Sequence, residues 1–288
     1  MNHFWQTSRF RIDLGTARVM GVVNVTPDSF SDGGRFVDAA SAIARCDVLL
    51  REGAHILDIG GESTRPGARK PTAAEELARV LPVLRHAVTL GVPVSVDTSE
   101  PTVMRAALEL GVDIVNDVRA LTRPAALELL AAHRSAGVCL MHMRGEPQSM
   151  QAAPDYTDVV AEVAAFLSAR RGAALAAGIA AERIVLDPGI GFGKSVQHNL
   201  ALLARQTEML GLGAPLLVGW SRKSTLGALT GRAAGERQAA SVTAALLAVQ
   251  RGARIVRVHD VAPTLDALTL WQAVQGLDMG TDKETDKT

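Results

Sequence analysis

No stretch of this chain approaches eighteen uninterrupted apolar residues, so no transmembrane helix is expected. Net charge is also missing: 30 Lys and Arg stand against 30 Asp and Glu. That balance gives no support for a nucleic-acid or membrane surface and leaves room only for a local basic pocket. Cysteine is scarce. Cys46 and Cys139, two in 288 residues, point to a reducing compartment rather than a disulfide framework. Cys139 sits in the apolar run Val138-Cys139-Leu140-Met141, where a small buried hydrophobe is the expected role. The opening MNHFWQTSRFRID carries no apolar signal-peptide core, so the cytoplasm is the expected location.

Several familiar motifs are missing too. The stretch LDPGIGFGKS, residues 186–195, ends like a nucleotide-binding phosphate loop, but Pro188 stands where that loop requires its first Gly. Proline has no N–H to offer a phosphate. Without that role, Lys194 and Ser195 are expected to be solvated loop residues. Asp187 becomes the informative letter, and Gly189, Gly191 and Gly193 are expected to let the loop pass close to a flat ring. No His/Cys cluster has zinc spacing, and no Ser-His-Asp or Cys-His pair is evident.

What the chain does contain is alternation. Eight β-type runs, at 18–24, 54–60, 92–97, 112–116, 137–142, 183–187, 215–219 and 254–258, are separated by Ala/Leu-rich helical stretches. Near-continuous apolar strands between helices mean a parallel sheet buried on both faces. Eight such units predict a single-domain α/β protein, a (β/α)8 barrel with its site at the C-terminal ends of the strands. A doubly wound sheet would usually stop at five to seven strands and would want G-x-G-x-x-G after the first. Here VTPDSFSDGG follows instead. The expected organisation is an N-terminal extension over 1–17, the barrel over 18–276 and a flexible tail over 277–288. Asp38 is expected to cap the first helix, with Ala39, Ile43, Cys46 and Leu50 on its inner face and Gly53 as its stop. Thr72 with Glu75 forms a capping box for a helix expected to end at Gly91 and to kink at Pro82. The last helix, 261–275, places Val261, Leu265, Leu268 and Trp271 on one side.

Each strand delivers a polar residue to the same rim: Asn24, Asp58, Asp97, Asn116, His142, Asp187, then Ser221-Arg222-Lys223, then Arg257 and His259. One such Asp or Asn is as often a turn-former as a ligand, but eight strands converging is harder to dismiss. Asp97, Asn116 and Asp187 can accept hydrogen bonds from the N–H edge of a heterocycle, whereas Lys223, Arg257 and His259 suit phosphate. The pocket is therefore expected to have an acidic wall and an anion-binding wall, and to take a small phosphorylated heterocycle. The polar, Gly- and Pro-containing loops NVTPDSFSDGG and GGESTRPGARKPT are expected to act as lids.

The segments MGVVNVTPDSFSDGG (20–34), DIGGESTRPGA (58–68), SVDT (95–98), VND (115–117), LDPGIGFGK (186–194), GWSRKS (219–224) and RVHD (257–260) together resemble the dihydropteroate synthase family. The resemblance implies Mg2+-dependent joining of 6-hydroxymethyl-7,8-dihydropterin pyrophosphate to p-aminobenzoate in folate synthesis. It also implies a homodimer and a target for sulfonamides. By matching motif, Asp97, Asn116, Asp187 and Lys223 would hold the pterin. Asn24 would bind Mg2+ with the pyrophosphate, which Thr64, Arg65, Arg257 and His259 would contact. Ser221 and Phe192 would lie near p-aminobenzoate, and Asp32 would order the lids. Asp32, Arg65, Lys223, Arg257 and His259 are the candidates for the chemistry itself. A pterin-binding methyltransferase would share the acidic wall without needing the cations. A non-catalytic pterin-binding relative would be expected to lose Asn24, Arg257 or the TRPG segment, and all are present.

Overall fold

The structure is a computed structural model and describes residues 3–26, 35–63, 69–145, 150 and 154–281. An antiparallel hairpin, β1 (Phe4–Gln6) and β2 (Arg11–Asp13), comes first. Eight parallel strands follow: β3 (Arg18–Asn24), β4 (Ile56–Gly60), β5 (Val94–Asp97), β6 (Ile114–Asp117), β7 (Gly137–Met141), β8 (Ile184–Asp187), β9 (Leu217–Val218) and β10 (Ile255–Val258). The helices between and after them are α1 (Arg35–Arg51), α2 (Ala73–Ala87), α3 (Pro101–Glu109), α4 (Ala126–Ala132), α5 (Val159–Ala176), α6 (Val196–Ala204), α7 (Ser224–Thr230), α8 (Gln238–Gln250) and α9 (Val261–Thr281).

The strands lie in the order β8-β7-β6-β5-β4-β3-β10-β9. Closure comes from a parallel bridge between Leu186 and Leu216, where the Leu186 N–H donates to the Pro215 carbonyl at 3.0 Å. This is the expected eight-stranded barrel. Outward residues such as Val19, Leu57, Val96, Leu140 and Val256 pack with the helices into one continuous core. The inward residues form layers, because side chains alternate along a strand. Met20, Ile56, Ile114, Cys139, Val185, Leu217 and Ile255 fill the lower layer, each buried.

That layer is capped by the hairpin, which lies within the expected N-terminal extension. Trp5, Ile12 and Leu14 join the lower layer, and Trp5 Nε1 donates to the Arg183 carbonyl at 2.8 Å. A Cβ at Gly137 would come within 3.0 Å of Trp5 Nε1, so the strand makes room for the indole. The plug seals the N-terminal end and confines solvent-facing chemistry to the other.

The helix signals hold in part. Thr72 Oγ1 accepts from the Glu75 N–H, and the Thr72 N–H donates to Glu75 Oε2, completing the capping box. That helix ends at Ala87, short of Gly91, and continues across Pro82. Asp38 lies inside α1 rather than capping it, because the helix already begins at Arg35. The buried face of α1 is Ala42, Cys46 and Leu49, one step round from the expected stripe, with Ile43 packed beside it. In α9, Val261 and Leu268 are buried and Leu265 and Trp271 pack against the core as expected, while the helix continues to Thr281. Among the described residues no helix is long and apolar enough to cross a membrane.

Candidate active site

Two residues above the apolar layer, the inward positions change character. They are Val22, Asp58, Asp97, Asn116, Met141, Asp187, Gly219 and Arg257, and all but Asp58 line a cavity of about 1070 Å3 at the C-terminal end of the barrel. Asn24, Ser221 and His259 occupy the next inward positions of their strands and the turns beyond, and line it too. Phe192 and Lys223 reach it from the loops after β8 and β9. The structure thus brings together Asn24, Asp97, Asn116, Asp187, Phe192, Ser221, Lys223, Arg257 and His259. Asp32, Thr64 and Arg65 lie outside the described residues, as do most of the expected lid positions.

His142 does not join them. It follows Met141, the inward residue of β7, and the alternation turns its side chain away from the cavity. Its ring packs edge-on against Phe166, with centroids 4.9 Å apart. Strand β7 instead offers Met141, which with Val118, Met150 and Phe192 makes a small apolar cluster at the rim. The Met-bearing segments were the sequence signal for this surface, and a flat ring can lie against it.

The enclosing backbone is built for close approach. Gly189, Gly191 and Gly193 all have φ in the left-handed region, at 68°, 82° and 62°. A Cβ at Gly189 would fall 1.9 Å from the His142 carbonyl oxygen, and one at Gly193 2.2 Å from that of Arg144. These two glycines therefore fit the loop against its neighbouring loop rather than against a ligand; only Gly191 borders the cavity, beside Lys223. Arg222 is left-handed without being glycine, at φ 59°. Its N–H donates to Ser241 Oγ at 3.0 Å and its guanidinium to Asp260 at 2.6 Å, which hold this strained turn in place. The turn aims Ser221 and Lys223 into the cavity from either side of it.

A family model for pterin binding enzymes matches residues 20–259. The chain belongs to this pterin-binding enzyme family. It is 55% identical to the dihydropteroate synthase of Neisseria meningitidis serogroup B over 278 residues, covering 94% of this chain and 98% of that one. Among solved structures, the Xanthomonas albilineans dihydropteroate synthase with 4-aminobenzoic acid superposes with a TM-score of 0.87 at 53% identity, covering 92% and 95% of the two chains. The same enzyme in complex with 7,8-dihydropteroate gives 0.84 at 50% identity, covering 92% and 96%.

In this pterin-binding enzyme the two expected walls are joined by one side chain. Arg257 Nε donates to Asp58 Oδ2 at 2.6 Å and Nη2 to Asp97 Oδ2 at 2.7 Å, so its guanidinium crosses to the acidic side. Asn116 Nδ2 also donates to Asp58 Oδ2, at 3.2 Å. With its amide hydrogens turned that way, Asn116 Oδ1 is a buried acceptor without a hydrogen-bond partner among the described residues. Leaving such an acceptor unmet costs about 1–3 kcal/mol, which an N–H donor in the cavity would recover.

Burial pushes the Asp187 carboxyl up to about 6, against the Gly189 N–H and the Lys223 and Arg257 charges. Burial raises Asp97 as well, Arg257 opposing it. Lys223 is brought down to about 8 by burial and by Arg257, and its Nζ lies 4.1 Å from the Phe192 ring centre. His259 is held down at about 3 by burial and by Arg257 and Arg222, so it is neutral and not a member of the cationic wall. Its backbone N–H donates to Ser221 Oγ at 3.1 Å, and that hydroxyl lies 3.0 Å from Nδ1. A hydroxyl that donates to Nδ1 would leave the ring proton on Nε2.

For a metal, the donor set is sparse and hard. Among the described residues no three His, Cys, Asp or Glu side chains cluster as ligands. The Asn24 amide and the Thr26 hydroxyl line the cavity. An amide and a hydroxyl oxygen suit a hard divalent cation that takes its other ligands from phosphate and water.

Proposed function

We propose that the chain condenses 6-hydroxymethyl-7,8-dihydropterin pyrophosphate with p-aminobenzoate, giving 7,8-dihydropteroate and pyrophosphate in folate synthesis. The bond from the methylene carbon to the pyrophosphate oxygen breaks, and its electron pair leaves with pyrophosphate. The aniline nitrogen forms the new bond to that carbon and gives up a proton. The electron-rich pterin delocalises charge developing on the methylene, and a neutral aniline needs no strong general base.

Asp97, Asn116, Asp187 and Lys223 hold the pterin. The observation that carries this reading is the buried, unpartnered Asn116 Oδ1, with Asp187 lining the same cavity. Two acceptors there match the N–H edge of a pterin. Arg257 and the neutral His259 ring, donating through Nε2, contact the pyrophosphate together with Thr64 and Arg65, while Asp32 orders the lids. Phe192 and Ser221 border p-aminobenzoate. Asn24 would hold Mg2+, which when bound offsets charge on the departing pyrophosphate. Preorganised donors at that position do the same.

A homodimer in the cytoplasm is the form we infer; two free, buried thiols suit a reducing compartment. Incubation of the full chain with the dihydropterin pyrophosphate, labelled p-aminobenzoate and Mg2+ tests the reading. Labelled dihydropteroate is expected, and its absence overturns the assignment.

A further inference from the structure

Lys194 ends the GKS triplet, and the expectation that it is solvated is wrong: the side chain is 2% exposed. Ser195 is half-buried, and its hydroxyl caps α6 by accepting from the His198 N–H at 3.1 Å. Among the described residues no carboxylate pairs with the Lys194 ammonium. Its three protons meet neutral acceptors instead: His142 Nδ1 at 2.9 Å, the Gly189 carbonyl at 2.9 Å and the Phe192 carbonyl at 3.1 Å. A lysine has three donors, so this set saturates it. His142, held down at about 3 by burial and by the Lys194 and Arg144 charges, stays neutral and offers its Nδ1 lone pair.

The reason for a lysine here lies in the two loops. Gly189 and Gly193 let the loop after β8 lie flush on residues 142–144, which turns several carbonyl oxygens toward one point. The buried Lys194 amine, brought down to about 7 by its burial against the opposing Asp187 charge, meets them together and ties the two loops to each other. Of the cavity residues at the end of β8 and in the loop after it, Asp187 and Phe192 are held differently. Asp187 ends β8, its carbonyl accepts from the His142 N–H at 3.0 Å, and its carboxylate accepts from the Gly189 N–H at 2.7 Å. Phe192 lies beyond the strand. Its N–H reaches the Gly189 carbonyl at 3.1 Å, and its own carbonyl is taken by Lys194.

We propose that Lys194 is a positioning residue for the aromatic amine. Its amine fixes the Phe192 ring as the wall beside p-aminobenzoate and makes no hydrogen bond to Asp97, Asn116 or Asp187. This rests on the condensation reading, in which Phe192 borders that substrate.

The test is a double-mutant cycle on the full chain with Lys194→Met, Phe192→Ala and the pair, measuring kcat and the KM of each substrate. Each single change is expected to raise the KM for p-aminobenzoate by about tenfold, within the range for residues in contact. The KM for the dihydropterin pyrophosphate stays within about twofold, and the pair is no worse than its worse member, because both changes remove the same wall. Effects that multiply, or equal rises in both KM values, overturn the role. If Lys194→Met does not fold, Lys194→Gln enters the same cycle. A chain that folds with neither makes Lys194 a requirement of the fold and also overturns it. A wild-type chain that forms no dihydropteroate defeats the condensation reading; an active wild type whose p-aminobenzoate KM is unchanged in Lys194→Met defeats only the role of Lys194.

Discussion

The two ends of the barrel are built from the same strands, and they differ by one step of the alternation. At the N-terminal end Met20, Ile56, Ile114, Cys139, Val185, Leu217 and Ile255 close over Trp5, with the buried Ser95 the one polar side chain that β5 adds among them. Two residues further on, the inward positions include Asp58, Asn116, Asp187 and Arg257. Two residues of strand rise roughly 7 Å. Within that distance the tube passes from a dry plug to a charged cavity. The lower layer provides stability that does not depend on the upper one, which lets the upper layer carry carboxylates that burial disfavours.

The largest effect is expected from a change that damages the upper end in both respects. Arg257→Ala removes the proposed pyrophosphate contact and leaves Asp58 buried without its ion-pair partner. A loss of at least about a hundredfold in kcat/KM is expected, with about 3–5 kcal/mol of stability. Denaturant unfolding and steady-state kinetics read the two. Unchanged stability would mean that the bridge to Asp58 does not hold the wall.

Trp5→Ala is the matching change at the lower end. It should lose about 3–5 kcal/mol of stability and leave kcat and both KM values of the folded protein unchanged. A kinetic effect would join the two ends that the layers separate.

The smallest effect is expected at Asp187, and its signs oppose each other. Its folded-state value of about 6 lies above the ordinary carboxylate value, so the fold disfavours the ionised form. Its stabilising contribution is present at low pH and is lost as pH rises from about 4 through about 6. Asp187→Asn should therefore stabilise the unliganded protein at pH 7, by about 1–3 kcal/mol. The same change should weaken pterin binding by about ten- to a hundredfold, and in the wild type pterin affinity should fall as pH drops through about 6. Calorimetry against pH checks both, and a destabilised Asp187→Asn would refute the sign.

The fold was legible because its signals are local and repeated. Apolar runs recur eight times with helical stretches between them, and the capping box at Thr72 and Glu75 is present. The plug was not legible, since two three-residue strands around Trp5 and Ile12 give too short a pattern to separate from an extension. At the site, residue types at strand ends located the cavity, but alternation decides which of them face it. Counting in twos from Met20, Ile114, Val185 or Ile255 reaches Asn24, Asn116, Asp187, and Arg257 with His259. The same count along β7 from Cys139 gives Met141 and passes over His142. Lys194 was misread because its acceptors are carbonyls brought together by left-handed glycines, and no spacing in the sequence announces that. The bridge from Arg257 to Asp58 is likewise a cross-barrel contact, between residues 199 positions apart.

The closure of the barrel has a mechanical consequence. Its ring of strands is complete except for the short join between Leu186 and Leu216, so it behaves as a split ring rather than a hoop. A hoop shares any distortion among all its members, whereas a split ring concentrates it at the slit. Here the slit runs between the strand that ends in Asp187 and the one that leads to Ser221 and Lys223. Widening it changes the span between those residues first, while the spacing of Asn24, Asp97 and Asn116 on the opposite arc is preserved.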